Sequence, residues 1–121
     1  MLTQHPEIKG IYVTWSLAAT GTLAALRAAE RPDIKVVSHD LDAVNDLDMA
    51  TSGNLFAVAA DRPYQIGQMQ IRVAVLSLLG EQVPGFITVP VVTETRETIV
   101  DAWNASLNTD PPQEILDALG Q

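Results

Sequence analysis

The sequence has 121 residues, of which 47% are hydrophobic and 18% charged, so it fits one small globular domain and not a disordered chain. It contains no cysteine, which excludes disulfides, cysteine metal ligands and thiol catalysis. Its net charge of −8 disfavours contact with nucleic acid through a basic face, and we expect no nucleic-acid partner.

Short apolar strands alternate with helical segments along the chain. Apolar and β-branched runs predict strands over residues 10–15, 34–38, 55–59 and 86–92. Helices are predicted over residues 16–30, 43–52, 63–79 and 96–107, with a short last helix after Asp110-Pro111. The expected helix starts are Ser16, Asp42, Pro63 and Thr95, and the expected stops are Gly53, Gly80 and Gly120.

This strand–helix alternation, with continuous apolar strands, predicts an α/β fold with a parallel sheet and helices on both faces. No stretch reaches the roughly 18 apolar residues of a membrane helix. The first ten residues lack the charged and then apolar pattern of a signal peptide. We therefore expect a single α/β domain over residues 1–121, with any export signal of a parent protein outside this chain.

Candidate ligand-binding residues follow three successive predicted strands. Trp15 follows the first strand, His39 and Asp40 follow the second, and Asp61 follows the third. Ligands of open parallel sheets bind beyond the carboxyl ends of the strands. Carboxylates accept hydrogen bonds from adjacent sugar hydroxyls, and an indole covers the apolar C–H face of a sugar ring. The four residues therefore predict a carbohydrate-binding edge.

Each of these residues also has a purely structural interpretation. Asp40 and Asp61 could simply cap the turns or helices that follow them. Trp15 could be part of the core, and His39 could be a packing or surface residue. The sequence alone leaves these alternatives open.

The sequence contains few motifs that are typical of catalytic or metal-binding sites. The sequence has no GxSxG, GxGxxG, HExxH or phosphate-loop motif. An aspartate after a strand also occurs in receiver domains, but the acidic pair and late lysine of that fold are not evident. Asp42, Asp46 and Asp48 are expected to form a solvated helix face, since the Gly and terminal Glu of a calcium loop do not follow them. We expect no catalytic residue, no metal, no cofactor and no enzymatic activity.

Four segments carry a family resemblance. HPEIKGIYV, GTLAALRAAERPDIKVVSHD, SGNLFAVAADRPYQIGQ and LLGEQVPGFITVPVVT, in this order over about residues 2–95, resemble the ribose-binding-like type I periplasmic sugar-binding proteins, the solute receptors of ABC importers. The same domain occurs in LacI-type repressors. The resemblance implies two α/β lobes that enclose the sugar and a three-stranded hinge. This chain would be a carboxy-terminal lobe fragment with a hinge-type strand near 89–93 and a helical tail over 96–121.

The resemblance also implies residue roles. Asp40 matches an Asp that binds sugar hydroxyls, and Asp61 matches a Gln or Asp after the next strand. Trp15 stands where an Asn often bonds the sugar, which puts ribose itself in doubt and suggests more stacking, and His39 stands where an aromatic residue is common. The implied function is binding of a sugar or polyol in the periplasm, with an ABC permease as partner of the full-length protein. The alternative is the effector-binding core of a LacI-type transcription regulator.

The resemblance further implies an open sheet edge. In the resembled lobe, the strand predicted over residues 10–15 lies beside a strand from an earlier part of the lobe that this chain lacks. An unpaired apolar edge favours pairing with another chain, so we expect a homo-oligomer through this exposed strand edge. The alternative is that the helix after Asp110 covers the gap and keeps the chain monomeric.

Overall fold

A computed structural model describes residues 2–120, which form a four-stranded sheet and five helices. The strands are β1 (Gly10–Tyr12), β2 (Lys35–His39), β3 (Leu55–Ala60) and β4 (Val92–Glu94). The helices are α1 (Ser16–Ala28), α2 (Ala43–Ala50), α3 (Pro63–Leu78), α4 (Ile99–Leu107) and α5 (Gln113–Leu119). The α/β class predicted from the sequence is confirmed. None of the helices in this part of the chain combines the length and apolarity that crossing a membrane requires.

The strands lie side by side in sequence order, β1-β2-β3-β4. β1, β2 and β3 are parallel as predicted, with Tyr12 opposite Val37 and His39 opposite Ala59. β4 runs antiparallel to β3, which departs from the predicted parallel arrangement. The reason is the segment 83–89, which lines a common groove with α3 and carries the chain back along that helix before β4 begins.

One face of the sheet carries the hydrophobic core. Its buried residues from the second and third strands include Val36 and Val58. The helices add Leu23 and Leu26 from α1, Met49 from α2, Ile99 and Trp103 from α4, and Ile115 from α5. Full burial of one such large side chain contributes about 1.5–3 kcal/mol. Four helices therefore hold the sheet from the same side.

The opposite face of the sheet is open. Tyr12 and Val37, paired across β1 and β2, are 62% and 37% exposed, and Phe56 at an irregularity in the register of β3 is 59% exposed. α3 has no buried residue and contacts α4. Within residues 2–120, the second helix layer predicted from the sequence is not formed, because the helices with buried residues all join one core.

The helix stops are partly as predicted. Gly80 follows α3 with φ +78° and Gly120 caps α5 with φ +79°, the left-handed conformation that glycine adopts without strain. After α2, however, the left-handed residue is Ser52 with φ +61°, not Gly53. Gly53 meets a different constraint, since a Cβ at this position would overlap the carboxylate of Asp48.

Candidate functional site

The carboxyl ends of β2 and β3 bring two carboxylates to one edge of the sheet. His39 and Ala59 are register partners, and the Asp40 N–H donates to the Ala59 carbonyl (3.4 Å). Asp40 thus follows β2 at the level where Asp61 follows β3. Asp40 has φ +64°, a left-handed conformation that aspartate tolerates better than most residues.

The two carboxylates interact electrostatically. Partial burial raises the pKa of the Asp61 carboxyl above its usual value, and the negative charge of Asp40 raises it further. Neither residue caps a helix in the described part of the chain. Asp42, and not Asp40, caps α2 by accepting from the Val44 and Asn45 N–H groups, and no side chain caps α3. Neither carboxylate is therefore used to cap a helix.

Trp15 lies on the loop after β1 at the same end of the sheet. It is 54% exposed, so it is not part of the core. It also occupies the N-cap position of α1, where Ser16 was predicted, and it makes no side-chain capping bond. Its backbone carbonyl accepts from the Ala19 N–H (3.1 Å). An exposed indole at the same end of a sheet as two carboxylates can stack on the apolar face of a ring while the carboxylates bind hydroxyls.

His39 has a partner of its own. Its Nε2 lies 2.7 Å from the Tyr12 hydroxyl, and the two rings meet edge to face with centroids 5.6 Å apart. This pair belongs to the open face of the sheet, where Tyr12 is exposed. The contact with Tyr12 supports the structural interpretation of His39 as a packing residue.

Asn45, which was not among the candidate residues, links the start of α1 to the start of α2. It is 2% exposed. Its Nδ2 donates to the Ser16 carbonyl (2.8 Å), its Oδ1 accepts from the Thr20 hydroxyl (3.0 Å), and its N–H donates to the Asp42 carboxylate (3.1 Å). A polar residue one turn into an N-capped helix, on the side of its buried positions, is the signal that could have pointed to it.

The prediction that Asp46 and Asp48 form a solvated helix face is wrong. Asp46 is fully buried and accepts from the Trp103 indole N–H (2.9 Å). Asp48 accepts from the Leu55 N–H (2.9 Å) and pairs with Arg27 (3.2 Å). Both carboxylates have specific partners, which offsets the cost of burying them.

Asp46 also meets a second buried carboxyl, that of Glu94 on β4. Both residues are 0% exposed, and neither Glu94 oxygen has a partner of ordinary hydrogen-bond geometry in the described chain. Burial raises the pKa of Glu94 to about 9, with the charge of Asp46 adding to the effect, and burial raises the pKa of Asp46 to about 7. Two adjacent buried carboxyls cannot both ionise at neutral pH, so the pair holds a proton there. Among residues 2–120, no group of three or more acidic or histidine side chains could hold a metal ion.

Comparison with known proteins gives a consistent set of relatives. No protein-family model matches the chain. Over 84 residues, or 69% of its length, the chain is 36% identical to the ribose import binding protein of Salmonella typhimurium. It spans 28% of the length of that relative.

Solved structures match in the same way. An ABC sugar transporter subunit from Rhodobacter sphaeroides is 30% identical with a TM-score of 0.68, over 80% of this chain and 36% of its own. An ABC transporter solute binding protein from Agrobacterium vitis with bound allitol is 27% identical with a TM-score of 0.70, over 80% of this chain and 35% of its own. The similarity thus covers most of this chain and about a third of each of these proteins.

Proposed function

We propose that this chain, which corresponds to part of a type I periplasmic sugar-binding protein, binds a sugar or polyol at the sheet edge that carries Trp15, Asp40 and Asp61. The observation that carries the proposal is the pair of carboxylates, Asp40 and Asp61, that end neighbouring strands and cap neither of the following helices. Charge-assisted hydrogen bonds to adjacent hydroxyls are the strong contacts that such a pair offers. His39, already bonded to Tyr12, would contribute less.

The biological setting is part of the same proposal. The chain would belong to the solute receptor of an ABC importer, with a second lobe that closes over the sugar, a hinge-type strand near residues 89–93 and a helical tail over 96–121. The receptor would act in the periplasm with an ABC permease as its partner and would perform binding without catalysis. Relatives named as import and transport proteins do not favour the alternative of a LacI-type regulator core.

The open face and edge of the sheet support a further proposal about assembly. β1 is the outermost strand of the described sheet, and the exposed Tyr12 and Val37 lie on the face that no described helix covers. An apolar strand with a free row of backbone donors and acceptors pairs readily with another strand. We propose that two copies of this chain associate through β1 when no other chain covers it.

The test of the sugar site is a nuclear magnetic resonance titration of the ¹⁵N-labelled chain with D-ribose and with allitol. We expect weak binding, in the millimolar range, that shifts the signals of Trp15, Asp40 and Asp61, because a second lobe would supply the remaining contacts. Asp40→Asn should weaken binding about tenfold or more, since a hydrogen bond to a charged group contributes roughly 1.5–3 kcal/mol. The control His39→Ala should have a smaller effect.

Two outcomes would count against the proposal. If neither compound shifts these three signals, the site is not there. If the isolated chain binds either compound with micromolar affinity, the second lobe is not needed and the two-lobe setting is wrong.

A further inference from the structure

Asn45 closes a network between the two loops of the candidate site. The Ser16 carbonyl accepts from Asn45 Nδ2 (2.8 Å), and the Thr20 hydroxyl, 3.0 Å from Asn45 Oδ1 and 3.2 Å from the Ser16 carbonyl, shares its one proton between these two acceptors. From the other side, Asp42 accepts from the Asn45 N–H. One buried side chain therefore joins the start of α1, next to Trp15, to the start of α2.

Strand pairing fixes the spacing between Asp40 and Asp61 but not the spacing between Trp15 and Asp40. Asp40 and Asp61 follow β2 and β3, whose register partners continue to His39 and Ala59, so the sheet itself sets the separation of the carboxylates. The β1–β2 pairing instead reaches its last bond at Val13, whose N–H donates to the Val37 carbonyl (2.9 Å). Trp15 lies beyond that point and needs another link to the loop that carries Asp40.

We propose that Asn45 is a positioning residue that fixes the indole of Trp15 relative to the Asp40 carboxylate. The proposal rests on the proposed sugar site and adds a residue that does not touch the sugar. It predicts that loss of the Asn45 side chain separates the stacking half of the site from its hydroxyl-binding half. The Asp40–Asp61 spacing stays intact because it depends on strand register.

The chain contains a matched control for this substitution. Asn54, 8% exposed, donates its Nδ2 to the Arg31 carbonyl (2.8 Å) and the Ile34 carbonyl (2.7 Å). These bonds lie at the amino ends of β2 and β3, the opposite end of the sheet from the candidate site. Asn54→Ala thus removes two comparable buried hydrogen bonds without touching the loops of Trp15 and Asp40.

The experiment compares Asn45→Ala and Asn54→Ala in the ¹⁵N-labelled chain. Without sugar, we expect the Ala19 amide, which donates to the Trp15 carbonyl, to exchange about tenfold faster in Asn45→Ala than in Asn54→Ala. With D-ribose or allitol, Asn45→Ala should lose the shift of the Trp15 indole signal and keep the shift at Asp61. Asn54→Ala should keep both shifts.

The outcomes separate the two proposals. If the unsubstituted chain binds but Trp15 and Asp61 respond equally in both variants, Asn45 does not position Trp15 and the sugar site stands. If the unsubstituted chain shows no sugar response, the sugar site falls and this inference falls with it. If Asn45→Ala does not fold, Thr20→Val replaces it, because this substitution removes one hydrogen bond of the same network. The expected result is the same: the Trp15 signal no longer shifts with sugar, and the Asp61 signal still does.

Discussion

Raising the pH should destabilise this protein through the buried pair of Asp46 and Glu94. Both carboxyls have a raised pKa in the folded state, about 7 for Asp46 and about 9 for Glu94, whereas in the unfolded chain they ionise near their ordinary values of about 4. Between the unfolded and folded pKa of each carboxyl, the folded protein holds a proton that the unfolded chain has lost, two protons up to about pH 7 and one from there to about pH 9. Stability is therefore full below about pH 4 and falls as the pH rises through the folded pKa values.

The size of the effect follows from the number of retained protons. Glu94, which stays protonated in the folded state over most of this range, gives a slope of about 1.4 kcal/mol per pH unit, or about 4 kcal/mol between about pH 5 and about pH 8, and Asp46 adds to this slope up to about pH 7. A small domain has a total stability of about 5–15 kcal/mol, so this loss is large enough to measure. Glu94→Gln removes the titrating carboxyl at nearly the same volume, and its amide can donate to Asp46 Oδ1, which has no partner of ordinary geometry in the described chain.

Urea unfolding followed by tryptophan fluorescence between about pH 5 and about pH 8 measures this slope. We expect Glu94→Gln to be less pH-dependent than the unsubstituted chain by about one proton and to be the more stable of the two at the alkaline end. Glu114→Gln, at an exposed position on α5, is the control and should leave the slope unchanged. Equal slopes for Glu94→Gln and Glu114→Gln would show that Glu94 is not the group that holds the proton.

Two further predictions concern Gly53 and the edge strand β1. Gly53→Ala should lower the free energy of unfolding in urea titrations by about 1–3 kcal/mol, because the added methyl group would displace the Asp48 carboxylate from the Leu55 N–H. An unchanged unfolding midpoint would mean that the Asp48 side chain can move aside without cost. Light scattering over a dilution series should show a dimer or larger species, and Tyr12→Lys should weaken this association. A 13.0 kDa monomer at every concentration, with the β1 amides protected from exchange, would mean that the edge is covered from within the chain.

Periodicity and turn residues predicted most of the first 80 residues. Parallel strands, helices between them and the glycine after α3 all depend on local sequence, which is why they could be anticipated. The carboxy-terminal part could not be read in the same way. The apolar run that suggested a strand over 86–92 is interrupted by Pro90, which has no N–H donor, and the strand forms only at Val92–Glu94.

The candidate site was partly accessible from the sequence. The positions of Asp40 and Asp61 after successive strands follow from the order of the elements, and the structure brings them to one edge. The burial of Asp46 was missed because isolated carboxylates are usually exposed. Its spacing from Met49 and Ala50 places it on the buried side of α2, and Trp103 supplies its donor from a helix 57 residues away, a contact that no local pattern reveals.

The left-handed backbone at Asp40 restricts any attempt to redesign the proposed sugar site at this position. At φ +64°, a β-branched or bulky replacement adds strain of about 1–2 kcal/mol, while Asn and Gly fit without it. Most members of a mutant library that randomises Asp40 would therefore lose part of the domain's stability. Diversity is better directed to Trp15, whose φ of −161° suits any residue, and to Asp61. At the proposed site, the backbone conformation of Asp40 limits which substitutions this position accepts.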